Sequence, residues 1–297
     1  MYLRKDGKLV KVDVPSDAST DVHRQWLLVE PKTDWKVGDH TYVAGSLLAM
    51  DFDAFMAGKR DFKVLFKPDD HTALASYSWT RHHLILNLMK DVKGQISVLT
   101  PQGDGSWSQA SLPGVPDNAT VAAGGVDADH SDAYWLHVTG YLTPSTLELG
   151  TIGKGEAKVL KQEPDFFDAS KFTVSQHFAT SEDGTRIPYF EIAPKDMKLD
   201  GSNRVLEYGY GGFGVSLRPH YSGSIGRAWL ERGGVYVVAN IRGGGEYGPR
   251  WHQAALKENR HKAYEDFAAV AKAQVADGIT SPEHLGIMRG SNGGLLT

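Results

Sequence analysis

A serine set among small residues near the end of the chain constrains the fold more than any other feature. Residues 289–294 read Arg-Gly-Ser-Asn-Gly-Gly and follow a short apolar run at 285–288. A serine in such a tight turn, between a buried strand and the start of a helix, is typical of a nucleophile elbow. The hydroxyl then stands exposed at the end of the strand, and the N-terminus of the next helix faces a developing oxyanion. The pattern therefore makes Ser291 a candidate nucleophile.

The composition excludes several classes of protein. The chain has 297 residues, of which 41% are apolar, so it can bury the core of one large domain or of two. Its net charge of −4 argues against a nucleic-acid surface, which usually needs a basic balance. Its apolar runs are shorter than the roughly 20 residues of a membrane span, and the absence of cysteine excludes disulfides and thiolate zinc sites.

We therefore expect no nucleic-acid, membrane or metal partner and no cofactor. The histidines also lack the spacing of metal ligands, and the four at His82, His83, His220 and His252 are predicted to be surface or packed polar residues. Residues 1–7 show no apolar leader, which favours the cytoplasm, with the periplasm as the alternative if a signal peptide precedes residue 1.

The first part of the chain, up to about residue 170, predicts short strands joined by polar turns. A turn signal stands at Asp117-Asn118, for example, and helical spacing occurs only at 53–59. Many short strands at regular spacing indicate a sandwich, a barrel or a propeller, although the repeat is too degenerate to count blades. The predicted strands span 9–14, 25–30, 47–52, 83–89, 95–100 and 133–139.

After Lys171 the pattern changes to alternating strands and helices. A hairpin is predicted around the turn at 181–185, and continuous apolar runs at 205–208, 235–241 and 285–288 predict further strands. Helical spacing at 224–232 and 262–276 places helices between these strands. This alternation predicts a doubly wound, mostly parallel α/β sheet.

Two glycine-rich stretches, at 209–214 and 243–248, follow predicted strands. They fit the glycine pattern of dinucleotide-binding loops, but neither opens a helix at once, so glycines that permit tight turns are the stronger interpretation. A functional interpretation makes the first stretch the loop that completes an oxyanion hole, with the Tyr210 O–H and the Asn292 N–H as donors. The alternative is that Tyr210 and Phe213 are loop aromatics that pack on the sheet.

A serine nucleophile of this kind needs a histidine base and an acid, which in this fold order both follow the serine. Six residues follow Ser291, and none of them is Asp, Glu or His. The sequence therefore predicts that the catalytic triad is incomplete within the chain.

Several motifs together resemble the catalytic domain of the prolyl oligopeptidase family. They are Gly-Tyr-Gly-Gly-Phe at 209–213, Ala-Asn-Ile-Arg-Gly-Gly-Gly-Glu-Tyr-Gly at 239–248, Trp251-His252, Asp266-Phe267, Thr-Ser-Pro at 280–282 and Gly-Ser-Asn-Gly-Gly-Leu-Leu at 290–296. The resemblance implies an incomplete seven-bladed β-propeller at residues 1–170 and an incomplete α/β-hydrolase peptidase domain at 171–297. The chain would stop just after the nucleophile, with the triad Asp and His beyond its end.

The resemblance implies a serine oligopeptidase that cleaves short peptides on the carboxyl side of proline through an acyl-enzyme. Ser291 would be the nucleophile, Tyr210 and Asn292 the oxyanion hole, and Phe213 part of the proline pocket. Arg289 departs from the family, which has glycine there, and its bulk predicts strain in the elbow of about 1–3 kcal/mol. Two alternatives remain, an α/β-hydrolase esterase and a non-catalytic remnant of propeller and hydrolase that acts as a binding module.

Overall fold

In a computed structural model the described residues are 2–116 and 119–296, so the predicted turn at Asp117-Asn118 lies outside them. The first part contains the strands β1 to β16 and one short helix, α1 (Phe52–Met56), which begins where Asp51 caps the N–H of Ala54. The strands span Tyr2–Lys5, Lys8–Lys11, Ser19–His23, Trp26–Glu30, Trp35–Val37, His40–Tyr42, Leu47–Asp51, Lys63–Phe66, Thr72–Trp79, Leu84–Lys90, Lys93–Pro101, Trp107–Ser111, Thr120–Gly125, Ala133–Thr139, Thr146–Thr151 and Lys158–Gln162.

Three four-stranded antiparallel sheets form the bulk of this part. Their strand orders are β3-β4-β7-β8, β12-β11-β10-β9 and β13-β14-β15-β16, with β1-β2 and β5-β6 as separate hairpins. Along β14, Tyr134, Leu136 and Val138 are buried and the residues between them are exposed, as the two-residue period of a strand requires. The buried side chains pack against Ile85 and Val98 of the preceding sheet. Stacked up-and-down sheets of this kind are the units of a propeller.

The second part contains a five-stranded sheet with the order β17-β18-β20-β19-β21. The strands β17 to β21 span Phe172–Thr180, Arg186–Pro194, Val205–Gly209, Val235–Ala239 and Leu285–Met288, and the helices α2 to α4 span Gly223–Ala228, Pro249–Gln253 and His261–Ala276. Short 3₁₀ turns lie at Ala169–Lys171, Leu230–Arg232, Lys257–Asn259 and Ser291–Leu295.

This sheet is mixed, whereas the sequence predicted a mostly parallel one. Two pairings, β17 with β18 and β18 with β20, are antiparallel, and two, β19 with β20 and β19 with β21, are parallel. The reason is local, because the tight turn with Gly184 at a φ of +84° reverses the chain and joins β17 to β18 as a hairpin. The parallel β19 and β21 lie side by side, so the loops that follow them start at the same edge.

Two apolar cores cover the faces of this sheet. Val235 and Val237 of β20 face helix α4 and pack with Phe267, while Tyr236 and Val238 point the other way, to the side of α2. A strand buried on both faces explains the continuous apolar run that predicted it.

Polar contacts join the two parts of the molecule. Tyr247 donates from its hydroxyl to Asp91 at 2.9 Å, and the Arg250 guanidinium lies 3.0 Å from the Asp34 carboxylate. Further bonds run from Gln176 to the Asp91 carbonyl, from Gln253 to the Lys32 carbonyl and from Arg218 to the Val121 carbonyl.

Candidate active site

Ser291 lies in a strained turn at the carboxyl end of β21. Gly290 is extended, and Ser291 has a φ of +55° before the chain enters a 3₁₀ turn at Ser291–Leu295. A positive φ is uncommon for a residue with a side chain and is a known form of stored strain at functional sites. The Ser291 side chain is exposed, so the geometry presents the hydroxyl at the edge of the sheet.

Arg289 folds back over this turn instead of opening it. Its guanidinium donates to the Gly290 carbonyl, with Nη2 at 3.0 Å, and also to the Gly293 carbonyl. A Cβ on Gly293 would overlap the guanidinium, so the absence of a side chain at residue 293 makes room for Arg289. The turn therefore forms with the large side chain in place, and the expected strain at this position remains a prediction.

Residues 210–217, here called the Tyr210 loop, follow β19 and meet the serine turn. Gly211, Phe213 and Gly214 have φ values of +57°, +54° and +65°. A Cβ on Gly212 would overlap the side-chain amide of Asn292 and lie 3.7 Å from Cε1 of Tyr210. The absence of a side chain at Gly212 thus leaves room for the Asn292 side-chain amide near the Tyr210 ring.

Tyr210 and Asn292 each carry a donor that has no partner among the described residues. Across residues 2–116 and 119–296, neither the Tyr210 hydroxyl nor the Asn292 backbone N–H forms a hydrogen bond. Free donors of this kind, one of them on the residue after an exposed serine, are suited to bind an oxyanion.

A second glycine-rich segment, residues 242–248 and here called the Arg242 loop, supports the Tyr210 loop. The Gly214 N–H donates to the Gly243 carbonyl at 3.1 Å, and a Cβ on Gly243 would overlap the Gly211 carbonyl. Arg260, at the start of α4, donates from Nη1 to that same Gly211 carbonyl. Close packing of two backbones accounts for the glycines, as the structural interpretation of the sequence required.

A buried ion-pair network holds the Arg242 loop in place. Arg242 donates to Asp266 and to Asp183, each with a shortest contact of 2.6 Å, and Ser181 also donates to Asp266 at 2.6 Å. Burial alone lowers the pKa of Arg242, but the hydrogen bonds to Asp266 and Asp183 outweigh it and raise the pKa. The bond from Arg242 holds the pKa of Asp183 well below its usual range. No motif assigned a role to these charges, which meet only in the folded chain.

The Glu246 carboxyl group anchors the C-terminal end of the Tyr210 loop. Its Oε1 accepts the Leu217 N–H at 2.8 Å and the Asn240 side-chain amide at 3.3 Å, while Oε2 has no partner within the described residues. Burial raises the pKa of Glu246 to about 7, and the hydrogen bonds oppose that rise. No sequence pattern shows that a glutamate will accept hydrogen bonds from a distant loop, so this contact was not predicted.

A cleft of about 520 Å³ opens between the Tyr210 loop and the first part of the chain. Phe213 lines it with 76% of its surface exposed. His252 also lines it, with Nδ1 at 3.1 Å from the Gly214 nitrogen and 2.8 Å from the Gly243 oxygen. His252 was predicted to be a surface or packed residue, and the structure places it at the cleft. The predicted role of Phe213 in a proline pocket remains a prediction.

The other three histidines named in the sequence analysis, His82, His83 and His220, form no hydrogen bond with the described residues of the serine turn. Nδ1 of His82 is 2.7 Å from Asp132, Nδ1 of His83 is 2.7 Å from Thr100, and His220 is exposed. Over the described ranges, no histidine or carboxylate forms a hydrogen bond with Ser291. In the same ranges no cluster of His, Cys, Asp or Glu side chains could hold a metal ion. None of the helices described is long and apolar enough to span a bilayer.

A mixed sheet that leads into a strained serine turn at its carboxyl edge is the arrangement of an α/β hydrolase. The model of the prolyl oligopeptidase family matches residues 219–297. The chain is 42% identical over 268 residues to the uncharacterized peptidase y4nA of Sinorhizobium fredii, across 89% of this chain and 36% of that protein. It is 36% identical over 208 residues to a prolyl endopeptidase of Elizabethkingia miricola, across 70% of this chain and 29% of that protein.

A solved structure, that of a post-proline cleaving enzyme from Rickettsia typhi, matches over 97% of this chain and 42% of its own. The TM-score is 0.88 at 34% sequence identity. The chain belongs to the prolyl oligopeptidase family. It spans less than half the length of each of these three relatives.

Proposed function

We propose that the chain is part of a serine peptidase that hydrolyses short peptides on the carboxyl side of proline, with Ser291 as the nucleophile. The observation that carries this proposal is the positive φ of the exposed Ser291 in a turn where the next backbone N–H, that of Asn292, has no acceptor among the described residues. The choice of substrate is supported by relatives named a prolyl endopeptidase and a post-proline cleaving enzyme.

In the proposed reaction the Ser291 hydroxyl oxygen attacks the carbonyl carbon of the substrate proline. Its proton passes to a general base and then to the leaving amine as the C–N bond breaks, which leaves an acyl-enzyme that water hydrolyses. The Tyr210 O–H and the Asn292 N–H would donate to the oxyanion, and Phe213 would contact the proline ring. The donors contribute most when the charge on the oxygen is largest, in the transition state.

None of the described residues is hydrogen-bonded to Ser291 as a general base would be. Without it the serine keeps its proton, and loss of triad members removes about 10⁴–10⁶ in rate. We therefore propose that these 297 residues alone turn over a proline-containing fluorogenic peptide no faster than the Ser291→Ala variant does. Turnover that Ser291→Ala abolishes would reveal a base inside the chain.

We further propose that residues 1–170 are part of a propeller and residues 171–297 part of the catalytic domain. This proposal, in which the first part would cover the cleft, is supported by the hydrogen bonds of Asp34 and Asp91 to residues of the second part. A cover at this position would admit short peptides and exclude folded proteins.

Labelling of the serine tests the proposed function in a form of the enzyme with a complete triad. A fluorophosphonate should label the wild-type protein and Ser224→Ala, an exposed serine changed on α2, but not Ser291→Ala. Hydrolysis of matched peptides with proline or alanine before the scissile bond should favour proline. Rapid cleavage of acyl esters without peptide cleavage would indicate an esterase, and loss of labelling in every form would indicate a binding module.

A further inference from the structure

Arg218 is a half-buried cation that has no carboxylate partner. It directly follows the Tyr210 loop, and its Nη2 donates to the Val121 carbonyl of the first part at 2.9 Å. Its Nε is buried without a hydrogen-bond partner, and no carboxylate within residues 2–116 and 119–296 forms an ion pair with it. A guanidinium has five N–H donors, so most of its hydrogen-bonding capacity is unused.

Burial without an anion makes this position unfavourable for a charge. Burial lowers the pKa of Arg218, and no carboxylate opposes that effect. Buried charges in proteins are normally paired, as the Arg242 network illustrates in the same domain. The contrast indicates that the partner of Arg218 is not part of the described residues.

The cleft around Arg218 offers it no neutralising group. Glu30 and Lys32 line the same cleft, but Lys32 Nζ lies 2.6 Å from the Glu30 carboxylate, so that acid is already paired. His252 also lines the cleft and can only add positive charge. One positive charge with no ion-pair partner among the described residues therefore remains in the cleft that Phe213 lines, at the residue after the Tyr210 loop.

We propose that Arg218 binds a carboxylate of the peptide that occupies this cleft, either its C-terminal carboxylate or an acidic side chain. The choice of a peptide as ligand rests on the proposed peptidase function. A carboxylate would accept two parallel N–H bonds from the planar guanidinium, and such charge-assisted pairs are roughly twice as strong as neutral hydrogen bonds. The pairing selects anionic peptides.

Calorimetric titration of the 297-residue chain with three proline-containing peptides tests this proposal. The peptides share one sequence and carry a free C-terminus, an amidated C-terminus, or an amidated C-terminus plus one aspartate. We expect at least one carboxylate peptide to bind about tenfold more tightly than the neutral amide, and the ratio to fall at high salt. Preference for the first or for the third peptide identifies the source of the carboxylate.

Substitutions assign the preference to Arg218. The ratio should fall to about one in Arg218→Gln, keep an intermediate value in Arg218→Lys, and be unchanged in Arg227→Gln, a matched loss of charge on α2. If Arg218→Gln unfolds, the reduced ratio in Arg218→Lys carries the test. Equal binding of the three peptides, absence of binding, or a ratio that survives the loss of Arg218 overturns the proposal. Fluorophosphonate labelling of Ser291 does not depend on Arg218, so failure here leaves the proposed nucleophile standing.

Discussion

The two glycine loops at the carboxyl edge of the sheet are built in opposite ways. The Arg242 loop is mostly buried and anchored by a charge network to Asp183 and Asp266. The Tyr210 loop has an exposed Phe213 and three residues at positive φ, and apart from one internal bond from Val215 to Gly212 it is held from outside, by Gly243, Glu246 and Arg260 among others. The loop that carries the proposed chemistry thus receives its geometry from its neighbour.

This difference predicts that substitutions in one loop change mainly the stability and that substitutions in the other change mainly the catalytic rate. Substitutions in the Arg242 loop and its anchors should lower the free energy of unfolding, because they leave buried charges unpaired. Substitutions of Tyr210 and Phe213 should change the rate and leave the folded state intact, because within the described residues the Tyr210 hydroxyl forms no hydrogen bond and the Phe213 side chain is mostly exposed.

The largest expected effect follows from Asp266→Ala. The change leaves Arg242 buried beside Asp183 alone, and we expect the free energy of unfolding to fall by about 3–5 kcal/mol. Urea denaturation measures this loss, and Glu265→Ala, on the same helix but partly exposed, is the control with an expected loss below about 1 kcal/mol. Equal losses in the two variants would contradict the anchoring role of the network.

Tyr210→Phe should produce the next largest effect, on rate alone. Removal of one oxyanion donor raises the barrier by about 2.7–4 kcal/mol, which is a 10²–10³-fold fall in kcat. KM and the unfolding midpoint should hardly change, because the phenol acts in the transition state. The measurement needs the enzyme with a complete triad, and Tyr208→Phe in β19 is the control. An unchanged kcat would return Tyr210 to the role of a packing aromatic.

The pH dependence of stability should reveal the acid beneath the Tyr210 loop. Burial raises the pKa of Glu246 from 4.5 to about 7, so the folded state binds its proton more tightly than the unfolded state. Glu246 therefore contributes its full stabilisation below about pH 4.5. As the pH rises through 7 that contribution is lost, and the free energy of unfolding falls by at most about 3 kcal/mol.

Unfolding at pH 5 and pH 8 tests this sign. Glu246→Gln should lose less stability over that interval than the wild-type protein. Glu207 in β19 is the matched control, because burial raises its pKa to about 8. Glu207→Gln should also reduce the loss of stability between pH 5 and pH 8, but without removing a hydrogen bond to the Tyr210 loop. A stability that rises with pH in the wild-type protein would show that neither carboxyl is held neutral.

Arg289→Gly should have the smallest of these effects. The change removes hydrogen bonds to the Gly290 and Gly293 carbonyls, and glycine adds an entropy cost of about 0.5–1 kcal/mol, while relief of strain acts in the other direction. We expect a net loss of about 1 kcal/mol in thermal unfolding. A gain in both stability and fluorophosphonate labelling would instead support the strain that the sequence predicted.

The sequence predicted those elements whose cause is local. The strand Leu285–Met288 and the helix His261–Ala276 lie within one residue of their predicted ranges, because apolar spacing and a closing Gly278 define them. The serine turn was predicted from small residues alone, since few backbones fit that pattern. The hairpin of β17 and β18 was predicted from its turn, but the antiparallel pairing of β18 with β20 was missed because a run of apolar residues does not reveal the direction of its neighbours.

Groups that act through tertiary contacts could not be predicted in this way. Arg218 and Arg260 lie in segments of ordinary polarity, and Glu246 lies in the motif at 239–248, which assigns it no role; the burial of all three depends on chain that is distant in sequence. Arg242 and Asp266 appeared within motifs, but the pairing between them exists only after the sheet has formed.

The left-handed backbone of Ser291 sets a compromise between activity and robustness at a single position. A residue with a Cβ pays roughly 1–2 kcal/mol in that conformation, and glycine does not. Ser291→Gly should therefore melt above Ser291→Ala although both lack the nucleophile, and equal melting temperatures would show that the turn is relaxed. An engineer who raises the stability of this protein by screening for folded protein alone would therefore select against the hydroxyl itself.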